Sequence, residues 1–142
     1  MRVDFYHLTS RPAEAVLPRL LERVRQDGAR ALVLARDEAF LTHLDRALWT
    51  YAPDSFLPHG RVDDRAGDQP ILLSDKVDAP NGATRLMIAD GHWPDPTPEG
   101  FERIFFLFDA SQIEAARAAW RGISGERHYW KQDERGRWTE GP

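Results

Sequence analysis

Cysteine is absent from the 142-residue sequence, which excludes disulfides and thiolate metal sites. No apolar run reaches the roughly 20 residues that a bilayer crossing requires, so no membrane partner is expected. The opening "MRVDFYHL" is too short, and too interrupted by Asp4 and His7, for a secretory signal, so a cytoplasmic location is expected. Phosphate-binding signatures are missing: there is no GxxxxGKS/T loop, and "HLTSRPAE" after the first apolar run offers no glycine to a pyrophosphate. His7, His43, His59, His92 and His128 are scattered without pair spacing, and neither HExxH nor GxSxG occurs. No cofactor, metal or catalytic residue is therefore expected. An excess of positive charge is also lacking. Lys and Arg number 19 against 23 Asp and Glu, a net charge of -4, so the overall field repels nucleic acid and any DNA contact should be indirect.

What the chain does have is the composition of a folded domain, 42% hydrophobic and 30% charged, over a length that fits one domain spanning residues 1–142. "VDFYHL" (3–8) reads as a strand. In the helix that follows, Val16, Leu17, Leu20, Leu21 and Val24 share a face, with Ser10 as its cap, Pro12 in its first turn, Pro18 as a kink and Gly28 as its stop. "ALVLA" (31–35) and "RDEAFLTHLDRALW" make a second strand and helix. "PILLS" (70–74), "RLMIA" (85–89) and "RIFFLF" (103–108) are further strands, giving a sheet of about five or more. Alternating strands and helices predict an α/β fold: a Rossmann-like three-layer sandwich with a mostly parallel sheet, helices on both faces and no nucleotide-binding loop. Residues 61–69 and the proline-rich stretch 91–100 read as surface loops.

The C-terminal third carries the clearest chemistry. "DASQIEAARAAWRG" opens with a predicted capping box of Ser111 and Glu114. Its helix places Arg117, Trp120 and Arg121 at i, i+3 and i+4, on one face. Two guanidiniums beside an indole suit a carboxylate attached to an aromatic group, since arginine offers forked donors and the ring offers packing area. Beyond Gly125, Tyr129, Trp130 and Trp138 alternate with Arg127, Lys131, Arg135 and Arg137, with a hairpin turn at Gly136. Such interleaving can bind single strands, although Asp133, Glu134 and Glu140 largely neutralise it. A second aromatic group, Trp49, Tyr51 and Phe56, sits where "LDRALWTYAPDSFLPHG" (44–60) leaves the helix among prolines, either to pack the sheet or to anchor a partner.

Three motifs in this order, "FYHL", "LDRALW" followed by "SFLPHG", and "AARAAWR" followed by "YWKQDERGRW", resemble the chi subunit of bacterial DNA polymerase III holoenzyme over nearly the whole chain. The resemblance implies a non-catalytic accessory subunit of the clamp-loader complex, binding the acidic C-terminal tail of single-stranded DNA-binding protein and linking it to the polymerase. By motif, Arg117 and Arg121 would hold the tail's carboxylates, Trp120 would wall the pocket for its terminal phenyl ring, and Phe106 would supply apolar lining. Arginine at position 121 replaces the family's lysine. The same resemblance places Trp49 and Phe56, with Leu48 and Pro58, on a surface for the psi subunit or a helicase. Two rival expectations are a small α/β enzyme acting on nucleotides or phosphoesters through His7 or His59, and a direct single-strand binder using the C-terminal aromatics.

Overall fold

A computed structural model describes residues 1–51, 57–61 and 65–141. In chain order the elements are β1 (Arg2–Leu8), α1 (Ala13–Gln26), β2 (Ala31–Leu34), α2 (Glu38–Thr50), β3 (His59–Arg61), β4 (Ile71–Ser74), β5 (Arg85–Ile88), β6 (Arg103–Asp109), α3 (Ile113–Gly122), β7 (Glu126–Gln132) and β8 (Trp138–Glu140). The strands form one sheet in the order β3-β4-β2-β5-β6-β1-β7-β8, parallel except for the β7–β8 hairpin. This is the predicted α/β architecture, its eight strands within the expected five or more. The additional ones are β3, β7 and β8.

Strand alternation sends successive side chains to opposite faces of the sheet, and each face has its own core. On one, Tyr6, Val33, Leu73, Met87, Phe105 and Leu107 pack under α1 and α2, whose Leu17, Leu21, Leu41 and Leu44 are buried. On the other, Phe5, Leu32, Leu72, Leu86, Phe106 and Phe108 pack under α3 through Ala116 and Ala119. The small alanines let α3 lie close to the sheet, while the larger Trp120 and Ile113 are left half-buried at its flank.

Local signals behave as expected in some places and are displaced in others. Gly28 adopts φ 73° directly after α1, a left-handed conformation that a residue with Cβ resists, and so ends the helix. Pro18 lies inside α1, where it removes one backbone donor, yet the buried face continues past it through Leu21 and Val24. Ser10 does not cap this helix. Pro12 is the N-cap, without a side-chain hydrogen bond, and the Ser10 hydroxyl donates instead to the Asp133 carbonyl at 3.2 Å. The capping box before α3 is also shifted. A 3-10 turn over Ala110–Gln112 precedes the helix, and the box is closed by Asp109 and Gln112, not by Ser111 and Glu114. Asp109 Oδ1 accepts from the Ser111 amide at 2.9 Å, and Gln112 Oε1 accepts from the Asp109 amide at 3.0 Å.

Candidate peptide-binding site

A cleft of about 260 Å³ opens between α3 and β7. Its floor is Phe5 of β1 and Phe108 of β6, diagonal neighbours on paired strands whose rings meet edge-on at 6.3 Å. Ile113, Ala116 and Trp120 form the α3 wall, Tyr129 forms the β7 wall, and Arg117 stands at the mouth. The aromatic walls are held in place by rings behind them. Phe5 meets Trp120 edge-on at 5.1 Å and stacks against Trp93 at 6.1 Å, while Phe106, fully buried, packs edge-on against Phe5 at 5.3 Å. Edge-to-face and offset pairs of this kind stabilise ring positions beyond area burial alone.

The polar side is asymmetric. Arg117 is exposed and reaches Glu114, one helical turn back, at 3.2 Å. An exposed pair at i, i+3 contributes at most about 1 kcal/mol, so this guanidinium is readily redirected to another carboxylate. Tyr129 is anchored through its hydroxyl, 2.8 Å from His7 Nδ1, and His7 stacks on Phe108 at 5.0 Å. Burial raises the Tyr129 pKa, with Arg117 opposing, so the phenol stays protonated. Burial, with Lys131 nearby, lowers the His7 pKa, which keeps the imidazole neutral. The result is an apolar, ring-lined slot with a cation at its entrance, suited to a carboxylate that carries an aromatic or large apolar group.

Of the residues expected to form this site, Arg117 and Trp120 line the cleft. Phe106 lies in the layer behind Phe5, and Arg121 is exposed but outside the lining. Phe5, Phe108, Ile113 and Tyr129 were missing from the expectation, because only the pairing of β1 with β6 and β7 brings them to α3. In sequence Arg127 is only one of the basic residues of the C-terminal segment. Its guanidinium lies 4.8 Å from the Trp120 ring centre, and its Nη1 donates to the Trp120 carbonyl at 2.5 Å.

The second expected surface divides. Trp49 is 57% exposed and its ring is 4.6 Å from that of His59, and Pro58 is half-buried beside it. Leu48 is a correction: it is 3% exposed and packs into the α1–α2 core, since its neighbours on the helix put it on the inward face with Leu41 and Leu44. Phe56 lies outside the described residues. His59 is buried, with Nδ1 2.7 Å from the Leu57 carbonyl and Nε2 3.0 Å from Asp45 Oδ1, the latter not aligned as a hydrogen bond.

A larger crevice of about 660 Å³ lies at the C-terminal ends of the strands, where Rossmann-like folds hold nucleotides. Here the successive amides of Thr9, Ser10 and Arg11, which follow β1 as a phosphate loop would, all donate to Gln132 Oε1 at 3.1, 3.1 and 3.2 Å. A side chain of the C-terminal hairpin thus occupies the position a phosphate would take. The carboxylates of Asp37, Asp90 and Asp109 line the same crevice and oppose an anion. His7 sits near the C-terminal end of β1 and His59 begins β3, so the two histidines do not converge on one site. The C-terminal aromatics do not form an open stacking platform either, because Trp130 and Trp138 are half-buried against Tyr6.

Fold and cleft together define an α/β domain of Rossmann-like architecture with an aromatic-lined cavity beside its last helix. Residues 1–129 match the family model described as DNA polymerase III chi subunit, HolC, and the chain belongs to that family. The matched span includes every residue that lines the cleft. Among curated relatives, the chain is 31% identical over 86 residues to the "Probable DNA polymerase III subunit chi" of Rickettsia prowazekii (strain Madrid E), covering 60% of this chain and 52% of that protein. It is 33% identical over 75 residues to the "DNA polymerase III subunit chi" of Pseudomonas aeruginosa, covering 51% of this chain and 52% of that one. The matched region spans about half the length of these relatives. No helix among the described residues is long and apolar enough to cross a membrane.

Proposed function

We propose that this chain is a non-catalytic adaptor of the DNA polymerase III clamp-loader complex that captures the acidic C-terminal tail of single-stranded DNA-binding protein in the α3–β7 cleft. The observation that carries this reading is the pairing of a ring-lined slot with Arg117 at its mouth. The tail's final phenylalanine fills the slot between Trp120, Phe5 and Tyr129, and its terminal carboxylate displaces Glu114 from Arg117. Such an exposed charge contact is weak and is screened by salt. Capture becomes effective because the tail bearer presents several copies, which raises local concentration without new contacts. The exposed Trp49 face, with Pro58, is assigned to the link with the psi subunit or a helicase. Aromatic anchors give large interface area at low entropic cost. The occupied β1–α1 amides weigh against the nucleotide- or phosphoester-handling alternative.

Calorimetric titration with a short acidic peptide ending in phenylalanine tests this reading. The free acid should bind at low salt, and amidation of its C-terminus or Arg117→Ala should weaken binding by up to about fivefold, since an exposed charge contact contributes at most about 1 kcal/mol. Failure of the free acid to bind at low salt would remove the mechanism at its central step.

A further inference from the structure

In the cleft lining the charge comes from α3 alone, yet the strand that supplies the Tyr129 wall also carries cations on either side of it. Alternation along β7 puts Arg127, Tyr129 and Lys131 on one face, and Tyr129 shows that this face lines the cleft. Arg127 reaches across to α3. One of its N–H groups satisfies the Trp120 carbonyl, in the last turn of the helix where carbonyls lack intrahelical partners, and its guanidinium covers the indole at 4.8 Å. That contact uses one of five guanidinium donors, and among the described residues no carboxylate lies within ion-pair distance of Arg127 or Lys131. Both residues are exposed. Like Arg121, they stand outside the lining itself, but Arg127 adjoins it through Trp120 and Lys131 shares the β7 face of Tyr129.

A ligand with a single carboxylate needs only one cation. Cations on both walls fit an extended chain that carries carboxylates along its length as well as at its end. The spacing agrees: same-side residues of a strand recur about every 7 Å, so Arg127 and Lys131 lie about 13 Å apart with Tyr129 between them. Same-side acidic residues of an extended peptide recur at the same interval. We propose that β7 is the second half of the site: Arg127 fixes the Trp120 indole and, with Lys131, binds side-chain carboxylates upstream of the ligand's terminal residue, leaving the terminal carboxylate to Arg117. This rests on the tail reading above.

The test compares three peptides on the full chain: the acidic free acid, its amidated form, and a free acid with upstream Asp replaced by Asn. Wild type should lose affinity for both modified peptides, by about fivefold for the neutralised one if two exposed pairs contribute together. Arg127→Gln and Lys131→Gln should abolish the penalty for neutralising the upstream acids while keeping the penalty for amidation. Arg117→Ala should do the reverse. Arg127→Lys, which retains charge but not the planar stack, should fall between. Lys131→Gln touches no core residue and carries the test alone if Arg127→Gln lowers the melting temperature. Full retention of the upstream-acid penalty in the β7 variants would overturn the proposal while leaving capture by Arg117 intact. Absence of binding to wild type would instead overturn the tail reading itself.

Discussion

Aromatic residues on the two faces of β7 meet opposite fates. On one, Trp130 packs with Tyr6 at 6.3 Å and donates its indole N–H to Asp4 at 2.9 Å. Asp4 is fully buried and also accepts from Arg2 at 3.0 Å and Arg103 at 2.7 Å, so three side chains converge on one carboxylate. Burial works to raise the Asp4 pKa, but the hydrogen bonds from Arg2, Trp130 and Arg103 outweigh it and hold the group below the usual carboxylate range. Burial beside this cluster pushes the Tyr6 phenol up to about 12. On the other face, Arg127, Tyr129 and Lys131 have no central carboxylate, and the cleft remains open with cations at its rim. Aromatic and basic residues close into a structural cluster where a buried acid collects them, and stay available to a ligand where none does.

Breaking the closed face should have the largest effect. Asp4→Ala leaves two guanidiniums and an indole without their acceptor, and should cost about 3–5 kcal/mol in urea unfolding. The sign with pH follows from the lowered pKa. Stabilisation by Asp4 is present above its unfolded value of about 3.9 and is lost as the pH falls through the folded value, so wild type should lose stability on acidification below about pH 4 more steeply than Asp4→Asn.

On the open face, Trp120→Ala should cost about 2 kcal/mol or more in binding the acidic peptide, roughly a thirtyfold loss, because it removes the main apolar wall. Stability should change less than in Asp4→Ala, since Trp120 is only half-buried. Glu114→Gln should tighten the same peptide by about twofold, by freeing Arg117 from its exposed pair.

The smallest effect belongs to His128, on the Asp4 face, where hydrogen bonds to Glu126 and then Glu140 raise its pKa. Its contribution is complete below the unfolded value of about 6.5 and disappears as the pH rises through the folded value. His128→Gln should therefore be slightly less stable than wild type near pH 6 and equal to it near pH 9 in thermal melts.

Much of the fold was legible because it rests on local periodicity. The buried runs 31–35, 70–74, 85–89 and 103–108 contain β2, β4, β5 and most of β6, and the amphipathic spacing of α1, α2 and α3 identifies their inward faces. The three-residue β3 is too short to carry a period. For β7 the sequence signals only a hairpin, because its main partner is β1, more than 120 residues away. The same long-range pairing hid half the cleft: Arg117 and Trp120 share a helix face and are visible in sequence, whereas Phe5, Phe108, Tyr129 and Arg127 converge only through sheet order. Arg121 shows the limit of the spacing argument. Positions i and i+4 share a broad face, but a cleft this narrow admits only part of it.

The most direct test of the account is amide and indole chemical-shift mapping of the isotope-labelled chain titrated with the acidic, phenylalanine-terminated peptide. The account predicts perturbations concentrated on Phe5, Phe108, Arg117, Trp120 and Tyr129, with the Trp49 indole unmoved. Perturbations centred on Trp49, or on the Thr9–Arg11 crevice, would place the ligand elsewhere and contradict it.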